Sequence, residues 1–295
     1  MTNITMAVLV LGMIALIAAV VLFVCAKKFA VKTDPRIAEV VDLLPKANCG
    51  GCGFAGCQAM AEALVKKADG ENNAPLNCPV GGDTVMQQVA QLLGVETEQT
   101  TPMVAVVRCA GCQNEKLTTY DGLHTCAAMN ACGVGEHGCG YGCLGCADCE
   151  AACAFGGIKV NEETGVPQVD TSLCTACGSC VKACPRHIIE RRPRGVKNRR
   201  VYVACRNQDR GPAAMKVCNT ACIGCGKCAK ECPFGAIVIE NNVAYIDYTK
   251  CRLCRKCVNV CPRKAIVAVG FPPTKTQHLP QWLDTQIDKH ETKNV

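Results

Sequence analysis

The chain opens on an unbroken apolar run. Residues 4–26 (ITMAVLVLGMIALIAAVVLFVCA) carry no charge over 23 positions, long enough to cross a bilayer as one tilted helix. A signal peptide would place basic residues ahead of a shorter apolar stretch and a small-residue cleavage site. Here residues 1–5 contain no Lys or Arg, and Lys27, Lys28 and Lys32 follow the run. That predicts an anchor with its amino terminus outside and the rest of the chain in the cytoplasm. Cys25 lies inside the span and reads as a small apolar residue. Over residues 34–94 the apolar positions take a helical period, with Ile37, Val40, Val41 and Leu44, then Ala61 to Val65, then Val85, Val89, Leu92 and Leu93. Residues 95–102 (VETEQTTP) lose the period and read as a linker. Beyond them the pattern is that of short strands. Residues 158–160 and 166–169 flank NEETG, and 237–239 and 243–246 flank ENN, so two β-hairpins are predicted. The tail 272–295, with Trp282 alone among polar residues, predicts an extended or short helical segment.

The chemistry lies in the cysteines. Four times they recur as C-x2-C-x2-C-x3-C: Cys143/Cys146/Cys149/Cys153, Cys174/Cys177/Cys180/Cys184, Cys222/Cys225/Cys228/Cys232 and Cys251/Cys254/Cys257/Cys261. Three thiolates set two residues apart wrap a tight loop around a cubane iron–sulfur cluster, and the fourth serves the neighbouring cluster. Interleaving assigns Cys143, Cys146 and Cys149 with Cys184, and Cys174, Cys177 and Cys180 with Cys153. It likewise assigns Cys222, Cys225 and Cys228 with Cys261, and Cys251, Cys254 and Cys257 with Cys232. Pro185, Pro233 and Pro262 follow three of the last cysteines, and Ala154 the other. The motifs are duplicated in pairs. Cys139 to Cys153 maps onto Cys218 to Cys232 with a shift of 79, and Cys174 to Cys184 onto Cys251 to Cys261 with a shift of 77. Val107-Arg108-Cys109 has a counterpart in Val203-Ala204-Cys205. Hairpin, cluster loop and short helix make each copy a two-cluster, ferredoxin-like module. Upstream, Cys49-x2-Cys52-x4-Cys57 lies on a Gly-rich loop (NCGGCGFAGCQ) with Cys78 as natural fourth ligand; this spacing differs from the usual zinc pairs.

Composition changes the picture in two ways. With 28 cysteines but one Trp, five Tyr and six Phe, clusters stand in for part of the apolar core. Serial cysteine pairs suit cluster binding in a reducing compartment rather than disulfides. The formal net charge of +7 counts every cysteine as neutral. A cubane core of about +2 on four thiolates carries about −2, so five clusters leave a small negative balance and remove the case for nucleic acid. No P-loop is present, and the Gly-rich stretches, the G-x-G-x-x-G strings at 51–56, 133–138 and 140–145 among them, belong to cysteine loops rather than to a strand-to-helix dinucleotide turn. Flavin and nicotinamide chemistry is therefore expected on other subunits. Apart from Cys25, seven further cysteines remain: Cys109, Cys112, Cys126, Cys132, Cys139, Cys205 and Cys218. Cys109-x2-Cys112 with Cys126 and Cys139 would supply a sixth cluster, with Cys205 and Cys218 available from the second copy; the other reading is buried apolar thiols. His137 and His187 flank cluster loops that already have four cysteines each. The basic run 191–200 (RRPRGVKNRR) joins the copies as a solvated connector or as a docking surface for an acidic redox partner.

An amino-terminal span, the NCGGCGFAGCQ loop with Cys78, and serial ferredoxin motifs together resemble, over nearly the whole chain, the B subunit of the Rnf complex, the membrane-bound ferredoxin:NAD oxidoreductase of bacteria, in its longer anaerobe-type form. The set Cys49/Cys52/Cys57/Cys78 resembles the cluster domain that the B subunit shares with proteins of corrinoid and acetyl-CoA metabolism. The resemblance implies an inner-membrane complex that couples electron transfer from reduced ferredoxin to NAD with sodium-ion or proton translocation. It also implies flavin/NAD-binding and integral membrane partner subunits, and soluble ferredoxin as donor. This chain would be the electron-transfer subunit, with no catalytic site of its own, five 4Fe-4S clusters and material for a sixth. Electrons would enter at the duplicated modules and run toward Cys49. The expected fold is α+β: a transmembrane anchor (1–27), a small mainly helical 4Fe-4S domain (28–94), a linker (95–102) and a first ferredoxin-like module with extra cysteines (103–190). A basic connector (191–217), a second ferredoxin-like module (218–270) and a tail (271–295) follow. Two other readings compete: a membrane-anchored iron–sulfur subunit of a dehydrogenase or hydrogenase, and a structural zinc or disulfide protein.

Overall fold

The structure is a computed structural model that describes residues 2–28, 34–71, 76–96, 101–111, 116–133 and 135–272. Cys112, residues 97–100 of the linker and the tail with Trp282 lie outside the described residues. Helix α1 (Thr2–Lys28) is continuous, and its segment Ile4–Cys25 is long and apolar enough to cross a membrane, with none of it buried against the rest of the chain. Leu9, Leu16 and Leu22 stand exposed on it; a helix apolar all round with no protein cover suits lipid.

Three helices follow: α2 (Pro35–Leu43), α3 (Cys57–Ala68) and α4 (Gly82–Leu93). Asp34 caps α2 by accepting from the Arg36 backbone N–H, with Pro35 opening the first turn. Gly94 ends α4 in the left-handed region. Val40, Leu44, Met60, Ala61, Leu64, Val65 and Val89 pack together, with Cys78, Cys52 and Cys57 set into the same cluster. The apolar stripe read from the sequence is therefore the wall of a cysteine site.

Next come strand β1 (Met103–Val107), helices α5 (Cys126–Cys132) and α6 (Asp148–Ala151), the hairpin β2 (Ile158–Val160) and β3 (Pro167–Val169), helix α7 (Ser179–Ala183) and strand β4 (Ile189–Pro193). The second copy has β5 (Arg200–Val203), α8 (Gly211–Val217), α9 (Lys227–Glu231), the hairpin β6 (Ile237–Glu240) and β7 (Val243–Ile246), α10 (Lys256–Asn259) and β8 (Ile266–Val269). Both hairpins expected from the sequence form, in registers Ile158↔Val169 and Ile237↔Ile246. Asn241 and Asn242 close the second with φ of 46° and 61°, the signature of a type I′ turn.

Each copy also carries a second antiparallel pair, made from its two ends: β1 with β4, and β5 with β8. The run expected as a connector over 191–217 thus supplies strand β5, and Arg192 and Arg200 are 2% and 5% exposed. Val106, Ala110, Tyr202, Ala204, Val267 and Val269 form one core, so the two copies share an interface built from these end strands.

Candidate iron–sulfur centres

The four loops are made alike. In each, the second cysteine sits between two residues of positive φ: Gly145 and Ala147, Ala176 and Gly178, Gly224 and Gly226, Leu253 and Arg255. These bends curl the chain, and a short helix then carries the third cysteine inward, so that Cys149, Cys180, Cys228 and Cys257 are all buried. After the fourth cysteine, Gly156, His187, Gly235 and Lys264 share a positive φ, and each backbone N–H donates to the carbonyl of the cysteine three residues before. His187 is therefore a turn residue.

The folds of the copies bring the interleaved cysteines together. One cavity is lined by Cys222, Cys225, Cys228 and Cys261, and another by Cys251, Cys254, Cys257 and Cys232. In the first copy Cys180 neighbours Cys174, Cys177, Cys149 and Cys153, and Cys149 neighbours Cys126 and Cys184. Cys126 also faces Cys143 and Cys146, giving that motif a fifth sulfur. In the helical domain Cys78 faces Cys52 and Cys49, and Asn48 Oδ1 accepts from the Cys57 N–H at 2.8 Å.

A further group of thiols lies where the copies meet. Cys109 neighbours Cys139 and Cys218, and one cavity is lined by Cys109, Cys139, Cys205 and Cys218. The group respects the duplication. Cys109 accepts from the backbone N–H groups of Cys143 and Gly111; its counterpart Cys205 accepts from Cys222 and Asn207, at 3.3 and 3.4 Å. Arg186 Nη1 donates to the Cys139 carbonyl at 3.0 Å, and its counterpart Arg263 Nη2 to the Cys218 carbonyl at 3.0 Å. Of the cysteines expected to form an extra site, Cys109 and Cys139 meet here. Cys126 lies with the first motif instead, and Cys218 and Cys205 come from the second copy. Cys132 is exposed at the end of α5.

The helical domain touches the first module through its cysteine loop. Lys182 Nζ donates to the Gly50 carbonyl at 3.2 Å. A Cβ on Gly51 would stand 2.5 Å from the Cys177 carbonyl oxygen, so only a glycine permits so close an approach at this point. Cys177 is buried, whereas its duplicate Cys254 is exposed.

Sulfur atoms here receive backbone hydrogen bonds: Gly81 N–H to Cys78, Ala105 to Cys174, Ala244 to Cys222 and Ala265 to Cys261, at 3.3 to 3.5 Å. Such donors favour thiolates. Burial opposes them, pushing Cys180, Cys205 and Cys257 up to about 12 and Cys109 and Cys228 to about 11. An iron core supplies the positive charge that holds them deprotonated. Among the described residues no three His, Cys, Asp or Glu side chains converge on the position of a single ion. Four cysteines line each of the two cavities of the second copy, a donor set that fits a cubane.

Residues 221–266 match a 4Fe-4S dicluster domain family, and residues 142–188 and 173–236 match another family of that description. Residues 44–79 match an Fe-S cluster family. The overlapping match over 173–236 runs across the two copies, a pairing that identical spacing leaves open and that the two four-cysteine cavities do not follow. The B subunit of the Na(+)-translocating ferredoxin:NAD(+) oxidoreductase complex of Acetobacterium woodii is 44% identical, covering 82% of this chain and 71% of its own. The B subunit of the proton-translocating ferredoxin:NAD(+) oxidoreductase complex of Clostridium ljungdahlii is 42% identical, covering 85% and 87%. The B subunit of the ion-translocating oxidoreductase complex of Methanosarcina acetivorans is 43% identical, covering 79% and 86%. The chain belongs to this B-subunit family. It is an electron-transfer subunit with several 4Fe-4S domains, part of a larger complex, and the readings as another enzyme's subunit or as a zinc or disulfide protein give way.

Proposed function

We propose that this chain carries electrons from reduced ferredoxin through six 4Fe-4S clusters toward the membrane side of a ferredoxin:NAD oxidoreductase that moves Na+ or H+. The clusters take up and release one electron each; everything else is positioning by this chain. Five sets of ligands are the interleaved ones: Cys49/Cys52/Cys57/Cys78, Cys143/Cys146/Cys149/Cys184, Cys174/Cys177/Cys180/Cys153, Cys222/Cys225/Cys228/Cys261 and Cys251/Cys254/Cys257/Cys232. The sixth is Cys109, Cys139, Cys218 and Cys205, two from each copy.

The order of sulfur neighbours supports a single path. Cys257 of the last motif neighbours Cys228 and Cys232, and Cys222 N–H reaches Cys205. Cys109 of the junction is the first thiol neighbour of Cys143, Cys149 neighbours Cys180, and Cys177 lies under the Cys49 loop. Without the junction set, the copies would each hold two clusters with no sulfur site between them.

One observation supports the direction. Cys254 is exposed while its duplicate Cys177 is buried beneath the helical domain. The open end receives soluble ferredoxin, and the covered end hands electrons to the Cys49 cluster and then to flavin- and NAD-binding and integral membrane subunits. Helix α1 spans the membrane with its amino terminus outside and the cluster domains in the cytoplasm. Replacing Cys52 with Ala tests the order: ferredoxin should still reduce the module clusters while partner subunits stay oxidised, and normal reduction of the partners would refute it.

A further inference from the structure

Two arginines of the basic run 191–200 turn inward, while Arg191 and Lys197 stay exposed. Arg192 and Arg200 are 2% and 5% exposed, and Arg108 is 6% exposed beside them. Glu190 is the carboxylate paired with this group, to Arg192 at 2.6 Å and to Arg108 at 3.6 Å. Arg200 is held by Asn198, whose side-chain oxygen accepts at 2.9 Å. The remaining contacts are neutral: Arg192 Nη1 donates to the Ile246 carbonyl at 2.7 Å and its guanidinium lies over Tyr245, 5.0 Å from the ring centre. Arg192 Nη2 and Arg200 Nε are buried with no hydrogen-bond partner. Three buried cations against one paired carboxylate leave positive charge that a protein interior does not tolerate without a counter-charge.

The duplication shows where the counter-charge lies. Cys174 and Cys251 are equivalent, each the first cysteine of the second motif in its copy. Arg192 is the cation that acts on Cys251, and Ile246, which it holds, directly precedes Asp247, whose carbonyl accepts from Cys251 N–H at 3.0 Å. Arg200 acts on Cys174, and Arg194 Nη2 donates to the Cys174 carbonyl at 3.0 Å. One strand-turn-strand segment thus delivers a buried guanidinium to the same corner of both modules.

We propose that Arg192 and Arg200 are fixed counter-charges of the clusters at Cys251 and Cys174, and that each makes its cluster easier to reduce than the same cluster would be without it. The inference rests on the cluster reading above. The step is a gain of one electron by a cluster of about −2, giving about −3, with no bond made or broken and the electron drawn from the neighbouring cluster or an external reductant. A buried positive charge stabilises the added negative charge, and its worth at an effective dielectric of about 20 over several ångströms is tenfold or more in the reduction equilibrium.

The test is an anaerobic potentiometric titration of the full-length, cluster-loaded chain followed by electron paramagnetic resonance, with iron counted per chain. In Arg192→Met one cluster should become at least about tenfold harder to reduce, about 59 mV for one electron. Arg192→Lys should stay near wild type, and Arg200→Met should move a different cluster. Glu190→Gln, which removes the offsetting anion, should move the Cys251 cluster the opposite way; it decides the matter if Arg192→Met loses iron. Full iron with superimposed titrations, or Glu190→Gln shifting in the same direction as Arg192→Met, overturns the inference. A wild-type chain that lacks the module iron overturns the cluster reading instead.

Discussion

Gly51→Ala is the smallest change that should cut the path. The added Cβ would meet three backbone atoms of Cys177, its carbonyl oxygen at 2.5 Å, Cα at 2.9 Å and carbonyl carbon at 3.1 Å, against the 3.4 Å at which ordinary contact begins. No flexible side chain can yield, so the Cys49 loop must withdraw from the first module by about 1 Å. Gly51 is not among the glycines of positive φ, and Ala fits its own loop. The cost therefore falls on the docking of the helical domain: about 1–3 kcal/mol for overpacking of this kind, or about fivefold to more than a hundredfold against the docked arrangement. The assay has two parts. Ferredoxin-driven bleaching of the brown chromophore of the isolated chain reports entry at the modules, and reduction of NAD by the assembled complex reports exit. Unchanged iron, unchanged bleaching of the module clusters and exit slowed by about fivefold or more are expected. Wild-type throughput, or loss of module reduction with exit intact per reduced cluster, would refute the ordering.

Removing residues 1–28 should release a soluble brown chain with its full iron, because nothing in Ile4–Cys25 is buried against the rest; loss of clusters on fractionation would contradict this. The iron-free chain should weaken in alkali. Cys180, Cys205 and Cys257 are pushed up from 9.0 to about 12 by burial, so the folded state keeps protons that the unfolded state releases between about pH 9 and 12. Stability then falls as pH rises, by about 1.4 kcal/mol per thiol per pH unit within that window. Melting of the reduced, iron-free chain at about pH 8 and about pH 10 checks it; the loaded chain, whose thiols are already deprotonated, should lose far less, and equal losses would count against the assignment.

Much of the fold is legible in the sequence because its signals are local. The spacing of Cys222, Cys225 and Cys228 is set by one loop, and the pairing of that loop with Cys261 follows from a rule about neighbouring clusters. The 237–246 hairpin is written in its alternation and its Asn-Asn turn. The strands β1 with β4 and β5 with β8 are not, because they join residues 63 to 90 positions apart in runs too short to carry a period. Without them the segment 191–200 looks like a solvated connector, although its alternation places Arg192 and Arg200 inside. The junction thiols show the same limit: the duplication makes Cys139 and Cys218 equivalent, but only the packing of β1 against β5 and β8 brings them face to face. Gly51 reads as a bend of its own loop, and its contact with Cys177 spans two domains.

The central claim is that the junction of the two modules holds a cluster and so joins them into one path. Anaerobic counting of iron and acid-labile sulfide on the purified full-length chain, alongside Cys218→Ser, tests it most directly. The account predicts about 24 irons for the wild type and about 20 for the variant; about 20 in both would leave the two modules unconnected and contradict it.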